Sequence, residues 1–407
     1  MIRLGPVRLA LLSLAVGGFA IGTGEFVIVG LLPNVADTFH ASIPQTGHMV
    51  SAYALGVVVG APTLTVLCVR LPRKGLLMSL MVAFALGNLA SAVAPTLDWE
   101  IVARFVSALP HGAFFGAGAV AASRMVAEGR RTAAMAVMFT GLTVATIVGV
   151  PLTTLLGQNT SWRVVFALVG GIAVLAALSI GVFLPADRSG PDERSTRALL
   201  QHELGAFKNK QVWLTLGAAT LGGGGLFATF SYISPMMTRL AAFSESGVTW
   251  LLVLFGLGMT VGNLVGARLA DRSVIKTLYG TFFAEVVVAS IFIVTAHHQV
   301  SAAITVFVLP ATFMAGLPAM QIRMITLAGG APNLAAASMQ AAFNIANSLG
   351  AWLGGVVIAE GYGYDAPNAV AAGLAGVGLV IAVTAGTLDR RDRSAPHVSP
   401  VPAVVEG

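Results

Sequence analysis

The sequence predicts an all-α polytopic membrane protein, with twelve transmembrane helices in two pseudo-symmetric six-helix bundles and both termini cytoplasmic. Three observations predict it. Of the 407 residues, 56% are hydrophobic and 10% charged, whereas an ordinary soluble domain is about a quarter charged. Apolar runs near the ~20 residues that a bilayer requires recur along the whole chain. The second half also repeats the first at a constant offset.

The predicted spans are 8–32, 46–68, 75–95, 98–122, 133–157, 163–184, 212–236, 247–268, 275–296, 300–320, 334–358 and 366–387. The first follows Arg3 and Arg8 like the apolar core of a secretory leader. It continues into Leu31-Leu32-Pro33 without a small-residue cleavage site, so it is expected to stay as an uncleaved span. Turn or charged residues separate later spans, as in Leu71-Pro72-Arg73-Lys74, Ala127-Glu128-Gly129-Arg130-Arg131 and Gly330-Ala331-Pro332-Asn333. Between spans six and seven, Ser189-Gly190-Pro191-Asp192-Glu193-Arg194 has linker composition. The expected organisation is therefore a first bundle at 1–186, a cytoplasmic linker at 187–211, a second bundle at 212–388 and a disordered tail at 389–407.

Charge placement sets the orientation. With the N-terminus inside, 20 of the 23 basic residues fall in inner segments. The outer loops keep only Arg163 and Arg239, and Arg104 lies within span four. This is the positive-inside pattern. It also answers the net charge of +6, because bases spread over seven segments set topology and leave no nucleic-acid patch. Cys68 is the sole cysteine, so an intrachain disulfide is excluded.

A shift of 202 residues lays Leu55-Gly56-Val57-Val58-Val59-Gly60 on Leu257-Gly258-Met259-Thr260-Val261-Gly262, Arg70 on Arg272, Lys74 on Lys276 and Pro33 on Pro235. Six spans thus correspond to six in the same orientation, a parallel repeat of the kind transporters use. The same shift carries Glu25 onto Phe227, so the acid has no counterpart in the second half.

Residues 7–32 carry one charge besides Arg8, namely Glu25 in Gly22-Thr23-Gly24-Glu25-Phe26. An ionisable residue at membrane depth marks a functional site by default. Two readings stand: a carboxyl that exchanges protons in competition with substrate, or a neutral one hydrogen-bonded to a neighbouring helix. At 1.5 Å per residue, Glu25 lies ~12 Å below the outer end of span one and Arg104 ~9 Å below that of span four. The depths match an ion pair; the other partner within reach of Arg104 is Glu100, one turn earlier. His111 follows Arg104 by two turns on the same face, as a proton relay or a hydrogen-bonding structural residue. Glu285, midway along span nine, is a secondary acidic candidate, with simple burial against a neighbouring helix as the other reading. Gln340, Asn344 and Asn347 form a polar stripe at i, i+4 and i+7. With Phe26, Phe227, Phe230 and Tyr232 they are assigned to a substrate cavity, against the reading that the rings pack or face lipid. No His/Cys/Asp set has metal-ligand spacing. Gly222–Gly225 lacks the Lys-Ser/Thr of a nucleotide loop. Neither a metal, a cofactor, ATP-driven pumping nor an enzyme is expected.

Several motifs together carry a family resemblance. They are Gly22-Thr23-Gly24-Glu25-Phe26 with Gly30-Leu31-Leu32-Pro33; Arg104 with Gly112; Gly141 with Gly149-Val150-Pro151; and Trp162-Arg163-Val164-Val165-Phe166. Gly262 with Gly266-Ala267-Arg268-Leu269-Ala270-Asp271-Arg272 completes the set. From Leu9 to Leu388 the chain resembles the major facilitator superfamily, specifically its 12-spanning drug:proton antiporters, the bacterial chloramphenicol-resistance and arabinose-efflux-like permeases. The resemblance implies the major facilitator fold, with spans one and four lining a central cavity and span nine peripheral. It implies that Gly141, Gly149 and Pro151 form an antiporter bend, where proline removes a backbone donor and glycine permits close helix contact. It further implies a cytoplasmic gate at Gly266, Arg268, Asp271 and Arg272. The first-half copy keeps Arg70, Arg73 and Lys74 but has Val69 where Asp271 aligns, so plain topological anchoring stands beside gating for those three bases.

The function expected is secondary active export of small hydrophobic or amphipathic compounds, phenicol-like by resemblance, through proton antiport with alternating access. The alternatives are proton-coupled export of a sugar or purine nucleoside, and a transporter-like membrane sensor. The expected partners are the lipid bilayer, a small-molecule substrate and protons, with no nucleic acid. The expected state is a monomer, multi-pass in a bacterial plasma membrane.

Overall fold

A computed structural model of the chain describes residues 5–67, 71–186, 205–328 and 332–394. Twelve helices among them are long and apolar enough to cross a membrane. The first bundle contains α1 (Pro6–Phe39), α2 (Ile43–Leu67), α3 (Arg73–Ala92) and α4 (Leu97–Arg124). Its fifth crossing is built from α5 (Arg131–Val144), a π turn (Ala145–Gly149) and α6 (Val150–Asn159), and α7 (Trp162–Phe183) is the sixth. The second bundle contains α8 (Lys210–Phe230), a short α9 (Ile233–Leu240), α10 (Glu245–Arg272), α11 (Val274–Thr295), α12 (Gln299–Leu327), α13 (Pro332–Ala359) and α14 (Ala366–Ser394). An even number of crossings puts both chain ends on one face, the terminal face below.

Helix starts follow local chemistry. The side chains of Thr96, Ser161, Asn209, Ser244 and Ser273 each accept a hydrogen bond from a first-turn amide, the capping that free N–H groups demand. Among the boundaries that depart from the sequence expectation, three stand out. α1 runs through Pro33 and stops at His40, which takes a left-handed conformation with φ 51°. Span seven is not continuous to 236: it breaks after Phe230, and Tyr232 precedes α9. The reason is tertiary, since the break lets the Tyr232 ring drop against Gly47 and Gly355, where a Cβ would collide with it. Third, α14 continues to Ser394, so residues 389–394 are helical rather than part of an unstructured tail. Most of the linker and the rest of the tail lie outside the described residues.

The repeat is visible in packing. Gly56 and Gly60 of α2 lie against the backbones of Phe105 and Leu109 in α4, while Gly258 and Gly262 of α10 lie against Phe307 and Ala311 in α12. Both partners in each pair are displaced by the same 202 residues. Small residues let backbones approach in lipid, where dispersion contacts drive association.

Among the described residues, the apolar core shared by the two bundles lies at one end. On the face away from the termini, a single apolar core joins residues 27–36 of α1 and Phe166 of α7 to Phe230, Leu252, Phe255 and Phe313 of the second bundle. Toward the terminal face that core divides into two. One cluster is drawn from the first bundle alone, including Leu14, Phe84, Phe114 and Ile180. The other comes from the second bundle alone, including Val212, Phe282, Met320 and Met339. Polar contacts follow the same pattern. Ser51 and Ser348 each donate to the other's carbonyl at 3.2 Å, and Gln158 bonds Thr249 at 3.2 Å and the Glu245 carbonyl at 3.1 Å. The molecule is sealed away from the termini and parted toward them.

Candidate functional site

The deepest polar cluster lies inside the first bundle, where α1, α2 and α4 meet. Arg104 is fully buried. Its Nη1 donates to the Gly24 carbonyl at 2.8 Å and its Nη2 to the Glu25 carbonyl at 3.1 Å. Its guanidinium carbon lies 4.2 Å from the centre of the Tyr53 ring and 5.3 Å from that of Phe166. A planar, permanently charged fork suits both tasks, bridging two successive carbonyls and lying over an aromatic face.

Sequence depth brought Arg104 to the correct residue but the wrong group. Neither the Glu25 nor the Glu100 carboxylate forms an ion pair with it within 4.0 Å. The guanidinium instead holds the α1 backbone, because each carbonyl keeps a second lone pair beyond its helical bond. The Glu25 carboxylate turns to His111, with Oε2 4.0 Å from Nδ1, and is 10% exposed. His111 Nδ1 in turn lies 3.3 Å from the Tyr53 hydroxyl. Tyr53 therefore ties the site together, carrying the cation on its ring and the imidazole at its hydroxyl. Sequence reading did not select it, although the signal was available: the 202-residue shift carries Tyr53 onto Phe255 and His111 onto Phe313.

Around this cluster several buried polar atoms have no hydrogen-bond partner: Thr23 Oγ1, Asn88 Oδ1, Ser91 Oγ, both Glu100 carboxylate oxygens and Arg104 Nε. Five of these six atoms lie on α3 and α4. Such atoms are costly to leave unsatisfied, so this part of the bundle is strongly polar at membrane depth.

The expected cavity residues separate into two groups. Phe26 meets Phe230 edge-on at 5.9 Å, and Phe230 stacks on Phe255 at 4.1 Å. Phe227 meets Phe313 at 6.1 Å, and Phe313 meets Phe343 at 6.0 Å. Tyr232 does not line a cavity: it is fully buried in the seal, its hydroxyl donating to the Ala351 carbonyl at 2.8 Å. The polar stripe of α13 also divides. Gln340 is exposed toward the parted end, while Asn344 is buried and donates to its own helix at the Gln340 carbonyl. Asn347 is buried with Oδ1 unpartnered. Successive turns of α13 pass from the open end into the joined core, so one helical face meets two environments.

The bend is built as its residues dictate. Val150 N–H reaches back to the Ala145 carbonyl, giving the wider π turn just before donor-less Pro151. Gly141 and Gly149 both face α1, against the Ala15 backbone and Thr23, while Thr146 and Ile147 meet Gly256 of α10. The bend thus touches the acid-bearing helix on one side and the other bundle on the next.

The residues expected to form a gate lie elsewhere, at the end of α10 and the start of α3. Arg268, Asp271 and Arg272 are exposed at the end of α10, and no ion pair within 4.0 Å joins them to other described residues. Gly266 packs on the Ala315 backbone. Arg73 and Lys74 are half-buried at the start of α3, and Arg70 lies outside the described residues. Glu285 is buried in α11 facing Gly225 of α8, with Oε1 unpartnered.

Comparison with known proteins gives the same architecture. The family model described as Major Facilitator Superfamily matches residues 14–242. The inner membrane transport protein YdhP of Escherichia coli (strain K12) is 39% identical over 92% of this chain and 95% of its own. A chloramphenicol resistance protein of Streptomyces lividans is 31% identical over 89% of this chain and 91% of its own. A solved bacterial homologue of the human lysosomal transporter Spinster, inward-facing and unoccupied, superposes with a TM-score of 0.75 at 16% identity, covering 95% of this chain and 97% of that one.

Proposed function

The chain belongs to the Major Facilitator Superfamily, and from that premise we propose that it exports small hydrophobic or amphipathic compounds, phenicol-like in character, by proton antiport. It is a multi-pass plasma-membrane transporter and not an enzyme. With the terminal face in the cytoplasm, as the basic loops favour, the parted end opens inward. The molecule is then poised to take solute from the cytoplasmic side.

One observation carries the antiport reading. Glu25 sits at membrane depth, 4.0 Å from His111, on a helix whose backbone at Gly24 and Glu25 is held by Arg104. A proton added to or removed from that carboxyl changes the charge beside a fixed cation, on the helix that also contacts the α5–α6 bend. Repacking between bundles then follows the carboxyl's state, the population shift alternating access needs. The relative named for chloramphenicol resistance supports a phenicol-like substrate. The protein works as a monomer, since site and bend lie within one chain.

Everted membrane vesicles with an imposed pH gradient, tested over drugs, sugars and nucleosides, decide the matter. Gradient-dependent accumulation of a phenicol is expected. Accumulation that ignores the gradient, or none across the panel, removes the antiport reading.

A further inference from the structure

Toward the terminal face, α5, α12 and α13 enclose a cavity of about 240 Å³. Phe139 enters from the first bundle, Gln321 and Met324 from α12, and Met339, Gln340 and Phe343 from α13. We propose that this cavity is the first-contact binding site for uncharged, ring-bearing solutes that carry hydrogen-bonding groups. The proposal rests on the export reading and narrows its substrate class.

The chemistry of the walls selects the occupant. None of the described residues that line it is charged. The nearest base in sequence, Arg323, lies between Gln321 and Met324 but is drawn to the opposite side of α12. Its Nη2 bonds Gln211 Oε1 at 2.8 Å and Asp389 Oδ2 at 2.9 Å, and its Nε bonds Thr215 Oγ1 at 3.3 Å. A charge that could have attracted an anion is thereby used within the second bundle. Gln321 and Gln340 are both exposed, and each amide donates and accepts, so together they serve a hydroxyl or amide on a neutral solute. Met side chains adapt to varied shapes, and sulfur meets rings favourably. Pockets for small ligands combine an apolar wall with a few polar groups at about 300–1,000 Å³, so this cavity suits a compound of about one ring.

Two aromatic runs lead inward from it. Phe139 stacks on Phe115 at 5.2 Å with 8° between planes, and Phe115 meets His111 at 5.3 Å, beside Glu25. On the other wall Phe343 meets Phe313, which meets Phe227. A ring in the cavity therefore touches arrays that end at Glu25 and at its repeat counterpart. Solute and proton occupy different groups, and their coupling passes through packing rather than direct displacement at one carboxyl.

The test uses the full chain, purified in detergent, with Cys68→Ser and Ile325→Cys, a lining position outside the amide pair, so that a maleimide reports access to the cavity. The neutral probes are chloramphenicol, acetanilide and thymidine; the ionic ones are tetraphenylphosphonium and benzoate. At least one neutral probe is expected to slow labelling several-fold while neither ion does. Gln340→Lys, which places a cation in the wall, is expected to weaken the protecting probe about tenfold or more, with the melting temperature recording that the variant is folded. Protection by no neutral probe, equal protection by an ion, or undiminished affinity in folded Gln340→Lys overturns the proposal. Protection without gradient-driven flux in vesicles defeats the export reading and leaves the cavity assignment standing. Flux of charged drugs alone, without protection, does the reverse.

Discussion

Arg104 illustrates how a membrane-buried charge is made tolerable. A guanidinium at this depth needs several acceptors, and it finds two carbonyls of α1 and two ring faces, those of Tyr53 and Phe166. Lysine, a single rotatable point charge, cannot bridge the carbonyls in a plane. Arg104→Lys is therefore expected to cost about 2–4 kcal/mol by loss of bidentate bonding at a buried charge, read as a lowered thermal midpoint in detergent. An unchanged midpoint would show that the fork is not what the site requires. Glu25→Gln keeps the shape of the side chain and removes its titration. It is expected to reduce gradient-driven accumulation by about a hundredfold, because the carboxyl proposed to exchange the coupled proton is gone. Full uphill transport in that variant would separate Glu25 from coupling.

Helix five is where local sequence shapes an element most directly. Proline at 151 removes an N–H, the preceding turn widens to the Val150-to-Ala145 bond, and the resulting bend carries Gly141 and Gly149 against α1. π turns in otherwise regular helices are frequent at functional positions. At Gly141 a Cβ would strike the Ala15 backbone, which has no side chain to move aside. Gly141→Val is thus expected to force α5 off α1 and lower stability by about 1–3 kcal/mol, with a matching loss of transport. Wild-type thermal stability in that variant would mean that the helices separate freely here. The break in the seventh crossing is the opposite case. Pro33 and Pro235 align in the repeat, yet only the second copy is interrupted, because Tyr232 has a pocket to fill and its first-half equivalent does not.

At the scale of the whole molecule, asymmetry within a symmetric frame is the functional device. The packing of α2 on α4 is reproduced by α10 on α12 at the same offset, so the scaffold is duplicated. The residues set into it are not: Glu25, Tyr53, Arg104 and His111 correspond to Phe227, Phe255, Val306 and Phe313. One bundle carries a polar, titratable centre, and the other carries three rings and a valine in the same places. The joined end is held across the bundles by the reciprocal Ser51–Ser348 bonds. Cysteines at both positions, in a chain with Cys68→Ser, are expected to cross-link on oxidation and to suppress transport to about a tenth or less, reversibly with reductant, since alternating access requires this end to open. Transport that continues through a formed cross-link would place the moving interface elsewhere.

The sequence by itself determined what depends on composition and period. It set twelve apolar segments, the parallel repeat, and an acid in span one at matching depth with an arginine in span four. Those features follow from the thickness of a bilayer and the cost of charge within it, and they do not depend on which helices touch. Tertiary structure alone decided which atoms meet. It set Arg104 on carbonyls rather than on a carboxylate, Tyr53 between cation and imidazole, and Tyr232 in the seal rather than in a cavity. It also put Gln340 outside and Asn347 inside, and left Arg268, Asp271 and Arg272 of α10 without an ion pair among the described residues. Depth along a helix is fixed by residue count, whereas rotamer, azimuth and the parting of the two bundles are set by packing between segments far apart in the chain.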